Sequence, residues 1–134
     1  MMVWFKIDFH SGKPVYEQIK DGLKDLIASS LLNLGDPIPS VREFARMLNV
    51  NVNTVARAYR ELELEGIIVS RKGVGYFVNA DGQTVRKLLL ENVKERIKDP
   101  LNKLKRIGFS TEEILNLIRE LILEVNEDGS GDKA

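Results

Sequence analysis

Between residues 51 and 73 the chain gathers the side chains best suited to reading a nucleic acid. Asn51, Asn53, Thr54, Arg57 and Arg60 lie close together, with Arg42 upstream and Arg71, Lys72 and Gly73 downstream. Arginine pairs bidentately with guanine and asparagine with adenine, while threonine suits a phosphate or a thymine methyl. Within residues 40–60, Arg42, Arg46, Arg57 and Arg60 face a single acidic residue, Glu43. The whole chain is neutral, with 20 Lys and Arg against 20 Asp and Glu, so this basic strip is a local feature. Locality is what matters, because phosphate attraction decays over ~8 Å at physiological salt.

Other chemistries find little support. There is no cysteine for a disulfide, a thiolate or a Cys-based zinc site, and the lone His10 has no histidine to pair with. Gly73-Val74-Gly75 is too short for a phosphate loop, which needs G-x-x-x-x-G-K-[ST]. Glu61 and Glu65 stand at helical i,i+4 spacing, where solvation is their simplest role. No catalytic centre, cofactor or metal is expected. No apolar run approaches the length of a membrane span, and no basic-then-apolar leader opens the chain. A cytoplasmic protein without a membrane partner is the expectation.

Val3, Phe5, Ile7 and Phe9 alternate, which predicts a short strand over 3–9. Pro14 suits a first helical turn, and Val15, Ile19, Leu23, Leu26 and Ile27 come after it at helical spacing, predicting a helix from about Pro14 to Leu31. Gly35-Asp36-Pro37-Ile38-Pro39 cannot continue it. Ser40-Val41-Arg42-Glu43 is a capping box opening a second helix. Asn49-Val50-Asn51 makes a tight turn, and Asn51 or Asn53 caps a third helix that ends at Gly66. Two helices joined this tightly form a helix-turn-helix. Ile67-Ile68-Val69 and Gly75-Tyr76-Phe77-Val78 then flank the polar Ser70-Arg71-Lys72-Gly73, predicting a hairpin with a basic tip.

On the third helix, about 100° per residue places Tyr59, Leu62 and Ala58 within about 60° of Val55. Asn53, Arg60 and Arg57 fall on the opposite face, and Thr54 on the flank. The expected fold is mainly α with a small β-hairpin wing: a winged helix-turn-helix over 1–80, then a two-helix hairpin over 81–134. Asn79-Ala80-Asp81-Gly82 is the expected hinge.

In the second segment Leu90, Val93, Ile97, Pro100, Leu104 and Ile107 recur in steps of three and four. Pro100 predicts a kink or break, with Asp99 capping the helix beyond it. Gly108 ends that helix, Ser110 and Glu113 form a second capping box, and Phe109 can staple against Ile114. Ile114, Leu115, Ile118, Leu121, Ile122 and Val125 make a broad apolar stripe, and the tail from Asn126 is expected to fray. A two-helix hairpin cannot bury both apolar sets within itself. A second copy is the natural cover, making Leu90, Val93, Ile97, Leu104, Ile107, Ile114, Ile118, Leu121, Ile122 and Val125 the expected homodimer contacts. The alternative packs the stripe onto the winged helix.

The stretch GDPIPSVREFARMLNVNVNTVARAYRELELEGIIVSRKGVGYFV resembles the winged helix-turn-helix of the GntR superfamily of bacterial transcription regulators. The likeness rests on Pro39-Ser40, Arg42-Glu43, Ala45, Asn53-Thr54-Val55, Ala58, Leu62, Glu65-Gly66, and Gly73 with Gly75-Tyr76-Phe77-Val78. It implies DNA contacts at Arg42, Asn51, Asn53, Thr54, Arg57, Lys72 and Gly73. Some relatives carry an arginine at the position of Ala56 and a polar or basic residue at that of Val52, so base preference does not transfer. The short helical extension resembles the small YtrA-type subgroup, which implies dimerisation through the tail. The function so implied is a dimeric repressor on a palindromic, double-stranded operator; the sequence names no small-molecule effector. A winged helix used for protein docking or RNA is the alternative, and exposed apolar residues on the third helix would favour docking; only Leu64 qualifies.

Overall fold

The computed structural model describes residues 4–132, with side chains through Asn126. Val3 of the expected first strand lies outside the described residues. The element order is α1 (Val15–Ala28), β1 (Pro37–Ile38), α2 (Val41–Leu48), α3 (Val52–Leu64), β2 (Ile68–Arg71), β3 (Gly75–Val78), α4 (Gly82–Arg106) and α5 (Thr111–Asp132). The strands form one antiparallel sheet in the order β1-β3-β2. Two compact units emerge, residues 1–89 and 90–134.

In the first unit the core is Ile19, Leu23 and Ile27 of α1, Phe44 of α2, Val55, Tyr59 and Leu62 of α3, and Ile68 and Val78 of the hairpin. The expected helix ends are met where a local cap specifies them. Ser40 Oγ accepts from the Glu43 N–H at 3.1 Å, and Glu43 Oε1 accepts from the Ser40 N–H at 3.4 Å. Asn49 turns left-handed at φ 57°, a conformation asparagine tolerates, and closes α2. Of the two candidate caps for α3, Asn51 serves: its Oδ1 accepts from the Asn53 N–H at 2.7 Å.

Four expectations fail in this unit, each for a reason visible in its contacts. Residues 4–8 form no strand; Trp4, Phe5 and Ile7 pack on the core instead, with Trp4 and Phe5 edge-on to Phe44 at 5.3 and 5.7 Å. The first helix stops at Ala28 rather than Leu31, because Ser30 turns left-handed and the Leu31 and Leu32 N–H groups both return to the Leu26 carbonyl. Pro37–Ile38, expected only as a helix stop, adds a strand to β3, flanked by Gly35 N–H to Val78 O and Val78 N–H to Asp36 O, both 2.9 Å. Its edge position tolerates the proline. The first hairpin strand runs on through Ser70 and Arg71, paired with Tyr76 and Gly75.

The segment expected as a hinge, 79–82, is the cap of α4: Asp81 Oδ1 accepts from the Thr84 N–H at 2.8 Å. Val85 is fully buried, Leu89 packs against the core, and Arg86 Nη2 donates to the Ala28 carbonyl at 2.9 Å. The first turns of α4 therefore belong to the first unit, and the expected division at residue 80 falls short of them. Arg86 supplies the cation that the last turn of α1 lacks.

In the second unit α4 runs through Pro100 to Arg106, so neither the expected break nor an Asp99 cap forms. A proline removes one backbone bond, at ~3 kcal/mol, and the turns on either side keep theirs. Gly108, at φ 104°, ends the helix. The Ser110–Glu113 capping box opens α5, at 3.1 and 2.9 Å. The tail expected to fray from Asn126 is instead helix to Asp132, continuous with α5 despite Gly129 and Gly131. Lys133 and Ala134 lie outside the described residues.

Candidate nucleic-acid interface

Three polar contacts fix α3 and the hairpin against their neighbours. Tyr59 Oη donates to the Pro39 carbonyl at 2.7 Å, joining α3 to the start of α2. Its ring lies 4.9 Å from Tyr76 of β3 and 6.1 Å from Phe44 of α2. Burial, then the neighbouring Tyr76 and Glu43, pushes the phenol far above its ordinary range, so it stays a neutral donor. Ser70 Oγ donates to Glu63 Oε2 at 2.9 Å, tying β2 to α3, and the Asn79 N–H donates to the Ile67 carbonyl at 2.8 Å.

On that frame the expected contact residues fall into three places. Arg42 is exposed on the first turn of α2. Asn51, Asn53 and Arg60 are exposed and Thr54 half-buried along α3. The Asn51 carbonyl oxygen is committed to its cap, which leaves its amide to meet a ligand. Arg71 ends β2 with its guanidinium 4.7 Å from the Phe77 ring centre, and Lys72 and Gly73 form the exposed turn. Gly73 takes φ 76°, and the turn closes with the Val74 N–H on the Arg71 carbonyl at 2.9 Å. A side chain there would strain the tip.

Arg57 is held differently. Its guanidinium stacks on the Tyr16 ring of α1, 3.6 Å from the centre, and its Nε donates to Glu61 Oε2 at 3.2 Å. This is the first rung of a ladder. Lys20 Nζ meets Glu61 at 2.8 Å and Glu65 at 2.6 Å, and Lys24 Nζ meets Glu65 at 2.6 Å. Residues 16, 20 and 24 of α1 thus face 57 and 61 of α3 and its C-terminal cap, Glu65, all at steps of four. Glu61 and Glu65 are not the solvated pair expected from spacing; they brace two helices. Hydrogen bonds from Lys20 and then Arg57 hold the Glu61 carboxyl below its ordinary range. Burial works against the charges of Glu65 and Lys20, yet their mutual bonds outweigh it, lowering the first pKa and raising the second. Sequence reasoning missed Tyr16, although the matched i,i+4 series of opposite charge was a visible signal.

The bracing sorts charge. Glu61 and Glu65 are occupied by α1, Glu43 by its cap and Glu63 by Ser70. Among the described residues no carboxylate forms an ion pair with Arg42, Arg46, Arg60, Arg71 or Lys72. Beside Leu64, Val52 at the first turn of α3 is a second exposed apolar residue.

In the second unit, α4 and α5 leave an apolar groove of about 440 Å³ lined by Ile97, Leu104, Ile114, Ile118, Leu121, Ile122 and Val125, with Pro100, Leu101, Leu117 and Asn126. Ile114 alone of the expected dimer contacts is buried; Leu104 is half-buried and the rest are exposed. Leu90, Val93 and Ile107 are exposed outside the groove. Among the described residues no helix is long and apolar enough to cross a membrane.

The family described as bacterial regulatory proteins, gntR family, matches residues 15–78. The chain is 37% identical over 128 residues to the HTH-type transcriptional repressor YtrA of Bacillus subtilis strain 168, covering 96% of each chain. Among solved structures it is similar to the GntR family transcriptional regulator from Listeria monocytogenes, with a TM-score of 0.71, 30% identity and coverage of 84% of this chain and 98% of that one. It is also similar to YtrA from Sulfolobus acidocaldarius, a GntR-family transcription factor, with a TM-score of 0.59, 40% identity and coverage of 72% and 99%.

Proposed function

The chain belongs to the GntR family of bacterial regulatory proteins, a DNA-binding transcription regulator with relatives that are repressors rather than enzymes, and from that premise we propose a homodimeric, cytoplasmic repressor of a palindromic operator. The observation that carries this reading is the sorting of charge in the first unit. Folding occupies the carboxylates of α2 and α3 with caps and α1 lysines, and leaves Arg42, Arg60, Arg71 and Lys72 exposed without acidic partners among the described residues.

Asn53, Thr54 and Arg60 offer base-reading chemistry from α3, while Arg42, Asn51 and the Arg71–Gly73 turn offer phosphate contacts on either side. The second unit supplies the self-association. Its groove and the exposed Leu90, Val93 and Ile107 form an apolar surface that a second copy would cover, giving two recognition helices for two half-sites.

Sedimentation of the full chain, with titration against a duplex selected from a randomised library, tests the proposal. A dimer that binds the selected palindrome and loses it on Ile118→Glu is the expected result, since the substitution places an unpaired carboxylate in the groove. A monomer that binds a single half-site equally well refutes it.

A further inference from the structure

The ladder between α1 and α3 has an end that bracing does not explain. It holds three cations, Lys20, Lys24 and Arg57, against two carboxylates, Glu61 and Glu65, a net charge of +1. The two lysines are enclosed, with side chains 16% and 10% exposed, whereas the Arg57 side chain is 53% exposed. The surplus charge therefore emerges at Arg57. One face of its guanidinium is covered by the Tyr16 ring and its Nε is bound to Glu61. Among the described residues its two Nη groups make no hydrogen bond, so the fork edge is presented. Glu61 is shared with Lys20, which restrains it from repelling an approaching anion.

Resting on the DNA-binding reading above, we propose that Tyr16 is a positioning residue for DNA recognition. By stacking on Arg57 it sets the guanidinium fork at the α1-facing edge of α3, where it clamps a backbone phosphate rather than a base. The register supports the edge placement, since residues 57, 61 and 65 all turn toward α1. Two parallel N–H donors fit phosphate oxygens, and an arginine whose plane is already fixed loses less freedom on binding than a mobile one. Lysine would supply charge at that position without the plane.

The test uses the full chain, a duplex selected from a randomised library, and a scrambled duplex of the same composition. Arg57→Gln should weaken both duplexes by similar factors. It should also reduce the slope of log affinity against log salt by about 0.9 for each phosphate no longer neutralised, about 1.8 for a dimer. Tyr16→Leu should weaken the selected duplex by about three- to tenfold, and Tyr16→Phe, which keeps the ring, should leave it within about twofold. In an Arg57→Gln background Tyr16→Leu should have no further effect, an outcome that a merely structural role for the ring does not produce. A loss confined to the selected duplex for Arg57→Gln overturns the phosphate assignment, even where Tyr16→Leu folds poorly. An undiminished Tyr16→Leu effect in the Arg57→Gln background overturns the positioning role. A wild-type chain that binds neither duplex removes the underlying reading, and this proposal with it.

Discussion

Tyr59→Phe removes one oxygen from the centre of the first unit and leaves everything else the ring does. The ring is 1% exposed and keeps its edge-on contact with Tyr76 and its approach to Phe44. The substitution deletes the 2.7 Å bond to the Pro39 carbonyl. A net hydrogen bond contributes about 1 kcal/mol, and an acceptor left wholly dry would cost up to about 3 kcal/mol. Pro39 is half-buried, so its carbonyl can regain water, and the expected loss is about 1 kcal/mol. For a unit of this size that lowers the melting temperature by about 4–8 °C. The single tryptophan, Trp4, packs edge-on to Phe44 and reports the same core, so urea unfolding followed by its fluorescence reads the change directly. The midpoint should fall with the slope unchanged. Because burial holds the folded phenol un-ionised, the unfolded chain alone ionises above about pH 10, and wild type should lose stability there by a route that the phenylalanine variant lacks. A loss under about 0.3 kcal/mol would refute the bond as a tie between α3 and α2; one above about 3 kcal/mol would mean the ring has moved.

Three further outcomes are expected. Neutralisation of about three phosphates per half-site gives a slope of log affinity against log salt near about −5, and a flat plot in a salt titration would refute the basic strip. Residues 1–80 should be less stable than 1–89 by about 2–4 kcal/mol in urea, because the shorter fragment strips the fully buried Val85 and the Arg86 bond to Ala28 from the core. Both fragments should lose about 10²–10⁴ in operator affinity if the second unit joins the half-sites. Glu61 and Glu65 are held below their ordinary range and Lys20 above its own. Their stabilisation is therefore present above the unfolded carboxylate value near 4.5 and vanishes as pH falls through the lower folded values; the Lys20 part is lost as pH rises past 10.5. Thermal melts of wild type and Lys20→Met should differ at pH 7 and converge in acid.

The helix-turn-helix was legible because its signals are local. Ser40 and Glu43 cap within one turn, Asn49 needs only its own backbone freedom, and Gly66 at φ 78° ends α3 where a glycine was placed to do so. The wing was legible for the same reason, a glycine turn between two apolar runs. The features that escaped depended on partners far along the chain. Pro37–Ile38 is too short to show alternation and becomes a strand only because β3 presents an open edge. The alternating residues before α1 suggest a strand, yet the aromatic side chains of Trp4 and Phe5 are satisfied by Phe44 instead. Arg57 lay on the polar face by helical angle, and nothing local foretold that Tyr16 would cover it.

These same bonds explain how a neutral chain comes to carry a basic surface. Residues 1–80 hold ten basic and nine acidic residues, so their total is nearly neutral although residues 40–60 carry four arginines against Glu43 alone. Folding breaks that balance in space. Lys20 and Lys24 draw Glu61 and Glu65 to the α1 side of α3; Asp36 turns to the Asn33 N–H and Asp8 to the His10 N–H. Each of these four acids is taken up by a bond within the first unit, and Arg42, Arg46, Arg60, Arg71 and Lys72 are left exposed without an ion pair among the described residues. The proposed affinity for an anionic duplex thus rests on the folded arrangement rather than on net charge. A substitution that loosens the ladder would return a carboxylate to the field of the basic strip, weakening stability and binding through one event.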